Sequence, residues 1–220
     1  MSPRKLFEQE LEELRQDVLQ MADWVEDGYD CLFDTLKKKD AETMKRFVRH
    51  DRVIGDMQRN IESKCLSLLT RQTPVARDLR TVSAALKVVT DLERCGNHLS
   101  DMAELFTRMG MEELEGYSET FGIMIAETKE ILKQASEAFV NRDMKLGEEA
   151  VSRDDMIDDC FNKVKDDLVE KLKKDTADAD GCVDALMVAK YLEKIADHAV
   201  NIGQWEIFQE TGVIDEIRLL

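Results

Sequence analysis

The sequence predicts an all-α chain built as two tandem three-helix bundles, and three observations predict it. Leu186–Gln204, LMVAKYLEKIADHAVNIGQ, repeats Leu86–Glu104, LKVVTDLERCGNHLSDMAE, with identical residues at 86/186, 88/188, 92/192, 93/193 and 98/198. Apolar residues return at helical spacing along the whole chain. Only two prolines and ten glycines interrupt 220 residues, which favours long helices with few turns.

The first helix runs from Leu6 to about Lys39, with Leu14, Val18, Met21, Val25, Leu32 and Leu36 on one face. Its closing lysines suit the negative end of the helix dipole. A second helix, about Glu42 to Leu69, turns Phe47, Val48, Ile54, Ile61, Cys65 and Leu68 inward and keeps Asp51, Asp56 and Glu62 among its polar positions. Thr73 as N-cap and Pro74 at the first helical position, where a missing N–H costs nothing, open a third helix that reaches about Met109. Gly110–Gly116 joins the halves and is the only candidate interdomain boundary, which divides the chain into 1–112 and 113–220.

Three more helices follow: one to about Asn141, one over Met144–Lys174 and one over Cys182–Thr211. The tail after Gly212 either frays or packs. Helices two and five align at an offset of 103, pairing Asp40 with Asp143, Val48 with Val151, Asp51 with Asp154 and Ile54 with Ile157. Helices three and six align at 100. The connection before the third helix is therefore three residues longer in the first half.

A formal charge of -16 opposes direct binding of nucleic acid or an anionic membrane and favours cations and basic protein surfaces. No apolar run is long enough to span a membrane, and the start MSPRKLFEQE lacks both a signal-peptide core and the glycine that myristoylation needs, so a cytoplasmic location is expected. Five scattered cysteines, Cys31, Cys65, Cys95, Cys160 and Cys182, do not form a disulfide framework and are expected to pack.

In both copies of the repeat one helix face is apolar: Leu92, Cys95, Leu99 and Met102, and then Leu192, Ile195, Ala199 and Ile202. Opposite runs a polar stripe: Glu93, Asn97, Asp101 and Glu104, answered by Glu193, Asp197, Asn201 and Gln204. In helix five, Asp154 with Asp158 and Asp155 with Asp159 add further carboxylates four residues apart. Side by side, such helices could converge hard oxygen ligands on Mg, Mn or Fe. A plain solvated face shows the same pattern, and spacing alone leaves both readings open. His98 and His198 lie off the stripe and read as partly exposed polar residues. No carboxylate stands at Cys95 or Ile195 to make an ExxH di-iron pair, and no phosphate loop, nucleophile elbow or zinc spacing occurs.

QTPVARDLR at 72–80, DLERCGNH at 91–98, YLEKIADH at 191–198 and the opening FEQELEELRQ together resemble the PhoU family of phosphate-transport accessory proteins, over essentially the whole chain. The resemblance implies a cytoplasmic, non-enzymatic regulator that restrains the phosphate-specific ABC transporter through its ATPase subunit and couples it to a sensor histidine kinase. It touches the membrane only through partners and commonly forms homodimers. It also implies metal sites, with iron or zinc clusters in some members, held by E(D)xxxD motifs, one in each half. By position these are Glu193, Asp197, Asp154 and Asp158 in the second half and Glu93, Asn97, Asp101 and Asp51 in the first. The first half departs from the pattern, with Asn97 where an Asp is usual and Gly55 where an acid would pair with Asp51, so the second site is expected to bind metal more tightly. Arg77 and Arg80 are candidates for partner docking or for salt bridges to neighbouring acids. The rival readings are a metal-storage or metal-dependent helical protein and an accessory protein of a low-affinity phosphate permease.

Overall fold

The computed structural model describes residues 3–47, 51–72, 74, 76–214 and 217–218. The expected inward Val48 and N-cap Thr73 lie outside the described residues, as does the side chain of Asp51. Helix α1 spans Pro3–Lys38, α2 Ala41–Phe47, α3 Asp51–Gln72 and α4 Arg77–Phe106. The second half holds α5 Met111–Tyr117, α6 Thr120–Asn141, α7 Met144–Val151, α8 Asp154–Lys174 and α9 Ala179–Thr211. After Gly212, β1 (Val213–Ile214) pairs antiparallel with β2 (Ile217–Arg218), and β1 packs on α9, so these described residues of the tail are packed.

Helices α1, α3 and α4 pack on one another as one bundle, and α6, α8 and α9 as the other. Helices α4 and α9 form the seam between them, flanked by α1 against α6. The residues that line the predicted apolar faces, from Leu14 to Leu68 and from Leu92 to Ile202, are buried. At the second contact Tyr29 Oη donates to the Ile125 carbonyl at 2.7 Å, and Asp30 accepts from Lys129 Nζ at 2.5 Å.

The repeat is visible in the backbone itself. Lys39 and Arg142, equivalent at the offset of 103, both take positive φ, 55° and 57°. The next residue in each case, Asp40 or Asp143, uses its carboxylate to accept a main-chain N–H at the start of the following helix, Thr43 at 3.1 Å and Leu146 at 3.2 Å. A short acceptor at that position satisfies one of the helix's unpaired donors.

Four expectations need correction. Pro74 is not the first residue of a helix: Ala76 takes φ 50° and ψ -121°, outside the helical region, and α4 starts only at Arg77. The link at 110–116 is itself helical, because Glu113 reaches back to accept the Gly110 N–H at 2.7 Å and Leu114 is fully buried. The helix expected over 144–174 is broken at Ser152–Arg153. There the Ser152 hydroxyl donates to the Glu149 carbonyl at 2.7 Å, Arg153 donates to Glu127 on α6 at 2.7 Å, and Asp154 with Asp155 supply the negative first turn of a new helix. All five cysteines are free; Cys31 is exposed, so the packing role expected of the set holds for the other four.

Candidate functional site

The outward stripes of α8 and α9 bring the second-half acids into one electrostatic neighbourhood. Asp154, partly buried at the start of α8, has its pKa raised by burial first and then by the charges of Asp197, Asp158, Asp155 and Glu193. Glu193 is sunk between the helices, its side chain 12% exposed, whereas Asp197 is 37% exposed. In this arrangement lysines supply the counter-charge. Lys190 Nζ donates to Glu193 at 2.6 Å, and Lys194 lies 3.3 Å from Glu193 Oε2 and donates to Asp197. Hydrogen bonding to Asp197 raises the Lys194 pKa, which keeps the ammonium in place.

Donor type and charge in this set fit a hard cation, because the surrounding carboxylates make Asp154 harder to ionise and a divalent ion would relieve that repulsion. Glu193, Asp197, Asp154 and Asp158 are the residues that would hold it. They are not preassembled: among the described residues no three His, Cys, Asp or Glu side chains gather close enough to hold a metal ion. A cation entering here would displace the two lysine ammoniums from Glu193 and Asp197.

In the first half the expected ligands are arranged differently. Asn97 Nδ2 donates to Glu93 Oε1 at 2.8 Å, Arg94 Nε lies 3.7 Å from Glu93 Oε2, and Asp101 faces His98 Nδ1 at 3.5 Å. The Asp51 side chain is outside the described residues. Arg77 pairs with Glu210, and Arg80 donates to the carbonyls of Gln209 and Glu210 at 3.1 and 3.2 Å. Both arginines therefore tie the start of α4 to the end of α9, where carbonyls have no helical partner. A cavity of about 310 Å³ between α1, α2, α4 and α5 is lined by none of the stripe residues.

Sequence reasoning missed two features. Lys190 and Lys194 stand at i-3 and i+1 of Glu193, and the spacing from Lys190 to Glu193 was the available signal. The two repeat histidines meet across the seam, His98 stacked on His198 with ring centroids 5.7 Å apart, and His198 Nδ1 lies 2.9 Å from Asp91 Oδ1. Burial and the neighbouring His198 lower the His98 pKa. Their recurrence at an offset of 100 placed them on equivalent helices, but not in contact.

A model of the PhoU domain matches this chain twice, over residues 18–106 and 121–205. The chain is 34% identical over 211 residues to a phosphate-specific transport system accessory protein PhoU homolog of Clostridium acetobutylicum, covering 95% of this chain and 96% of that one. A homolog of the same name from Synechocystis is 31% identical, with 95% and 93% covered. Its fold matches the crystal structure of PhoU from Pseudomonas aeruginosa at a TM-score of 0.87 and 28% identity, over 94% of this chain and all of that one. The phosphate transport system regulatory protein PhoU from Streptococcus pneumoniae gives a TM-score of 0.83 at 25% identity, with 96% and 100% covered. Two family matches along one chain are also what the internal repeat requires, and the protein belongs to the PhoU family.

Proposed function

We propose that this protein restrains a phosphate-specific ABC transporter from the cytoplasmic side, couples it to a sensor histidine kinase, and so keeps phosphate-starvation genes silent while phosphate is plentiful. Its family makes it an accessory or regulatory protein of phosphate transport, not an enzyme. The observation that carries the adapter reading is the field of carboxylates around Asp154 on the outer face of α8 and α9. A concentrated negative surface on a rigid helical scaffold steers a basic partner surface into one orientation. No helix among the described residues is long and apolar enough to cross a membrane, so contact with a transporter would be through its exposed subunit. We take the working form to be a homodimer.

Deleting the gene and following phosphate uptake and phosphatase expression tests this role. Derepression in high phosphate is expected, and unchanged repression would remove the proposal. A bound divalent or iron cation is part of the same reading, with Mg, Mn, Fe and Zn as candidates. Saturating Mn at about 100 times Kd is expected to stabilise the fold by about 2.7 kcal/mol. Glu193→Ala with Asp197→Ala should abolish that gain while Glu93→Ala leaves most of it. A metal count that survives the double substitution but falls with Glu93→Ala would refute the order of the two sites.

A further inference from the structure

We propose that the first-half cleft between α3 and α4 is a binding site for a phosphate group, the repeat having diverged to opposite charge at one place. The cleft, of about 550 Å³, presents three guanidiniums, Arg52, Arg59 and Arg94, against two carboxylates, Glu93 and Asp101, among the described residues. In the second repeat Asp155, Asn162 and Lys194 stand for the three arginines, and Asp158 and Asp197 stand for Gly55 and Asn97. Together with Glu193 and Asp154, five carboxylates there face two ammoniums, Lys190 and Lys194. One helix pair thus offers a cradle for cations and its sister a cradle for anions.

Of the two carboxylates, Glu93 is already engaged. Glu93 accepts from Asn97 at 2.8 Å and lies 3.7 Å from Arg94, and His98 stands 3.5 Å from Asp101. Arg59 pairs with Asp56 at 2.5 Å, with side chains 67% and 70% exposed, an arrangement that yields readily to a stronger partner. Gly55 leaves the floor of the cleft open: a Cβ there would come to 3.4 Å from the Arg59 guanidinium.

A second observation is independent of the arginines. Ser100 is 8% exposed, lines the cleft, and has an Oγ without a hydrogen-bond partner among the described residues. Val200 occupies the equivalent position in α9. A hydroxyl kept without a partner where an apolar side chain serves the sister helix is explained by a ligand that accepts its hydrogen bond. Planar guanidinium forks beside it match the paired oxygens of phosphate.

Inorganic phosphate and a phosphate monoester share this chemistry, and the volume admits either. Isothermal titration of the metal-free full chain with inorganic phosphate, and separately with adenosine monophosphate, distinguishes them. Saturable binding of phosphate alone identifies the free anion, and tighter binding of the monoester identifies an esterified one. Arg52→Ala with Arg94→Ala is expected to raise Kd about tenfold or more, and Ser100→Val several-fold. Lys194→Ala, in the other cleft, should leave Kd unchanged. Both arginines are exposed, so the variants retain the fold. Saturation by neither probe, or binding that the double arginine variant retains, would overturn the assignment. The site is read on the isolated protein and does not depend on the transporter role.

Discussion

Replacing Glu206 with Gln is expected to stabilise the protein by about 3 kcal/mol near neutral pH and to remove most of its loss of stability with rising pH. Glu206 is 0% exposed on the inner side of α9. Its Oε2 accepts from Gln209 at 2.5 Å, while Oε1 has no hydrogen-bond partner among the described residues. Burial pushes its pKa from the ordinary 4.5 up to about 8, opposed by the Gln209 hydrogen bond and aided by Glu210. In the unfolded chain the carboxyl ionises near its ordinary value. Between about pH 4.5 and about pH 8 the unfolded state therefore binds fewer protons than the folded one, and stability falls as pH rises. Below that window both states are protonated and the penalty vanishes; above it the penalty is constant.

Glu26, raised to about 7 by burial and then by Asp23 and Glu137, adds a slope of the same sign over a narrower window. The amide keeps the acceptor that Gln209 uses and cannot ionise. Urea midpoints at about pH 5 and about pH 8 should fall steeply for the wild type and less for Glu206→Gln, with the two proteins converging at the acid end. Parallel pH curves would show that Glu206 is not the group responsible.

Glu206 also marks where the pattern of the sequence stopped short of the structure. The inward positions Leu192, Ile195, Ala199 and Ile202 continue by one more step to 206, so periodicity placed a carboxylate in the core, but nothing in the sequence supplied its partner. The first repeat has Phe106 at the same place, buried as expected. Helix faces, the doubled bundle and the alignment of Asp40 with Asp143 were legible because they follow from local spacing and from a repeat that copies it; the cap that each of these acids forms was not read from the sequence. The acids of α8 and α9 were legible as a stripe. Their lysine counter-ions, the histidine stack at the seam and the arginine cleft of the first half depend on which helices meet, which one-dimensional spacing does not fix. The break at Ser152–Arg153 had a visible cause in hindsight, a serine followed by an arginine and two acids, yet the apolar period ran through it.

Replacing Gly203 with Val is expected to cost about 3 kcal/mol, whereas Gly96→Ala should change stability by less than about 1 kcal/mol. A Cβ at Gly203 would lie 3.0 Å from the Gly147 carbonyl oxygen and 3.2 Å from Val151 Cγ2, both on α7. The approach is mutual, since a Cβ at Gly147 would meet the Gly203 carbonyl at 3.2 Å. Two helix backbones touch here, and a carbonyl fixed in a helix cannot rotate away. Helix α7 would have to leave α9, opening the layer that buries Ala150. At Gly96 the nearest atoms are Ile54 side-chain carbons at 3.2 Å, and the second repeat already fits Ala196 beside Ile157 at the matching place, both buried. There the gain in helix propensity offsets the crowding. Because α7 leads through Ser152–Arg153 into Asp154, lifting it also shifts that acid relative to Glu193 and Asp197. Gly203→Val should therefore weaken the stabilisation by Mn as well as lower the urea midpoint, and Gly96→Ala should do neither. A valine variant as stable as the wild type would mean that α7 and α9 are not in backbone contact.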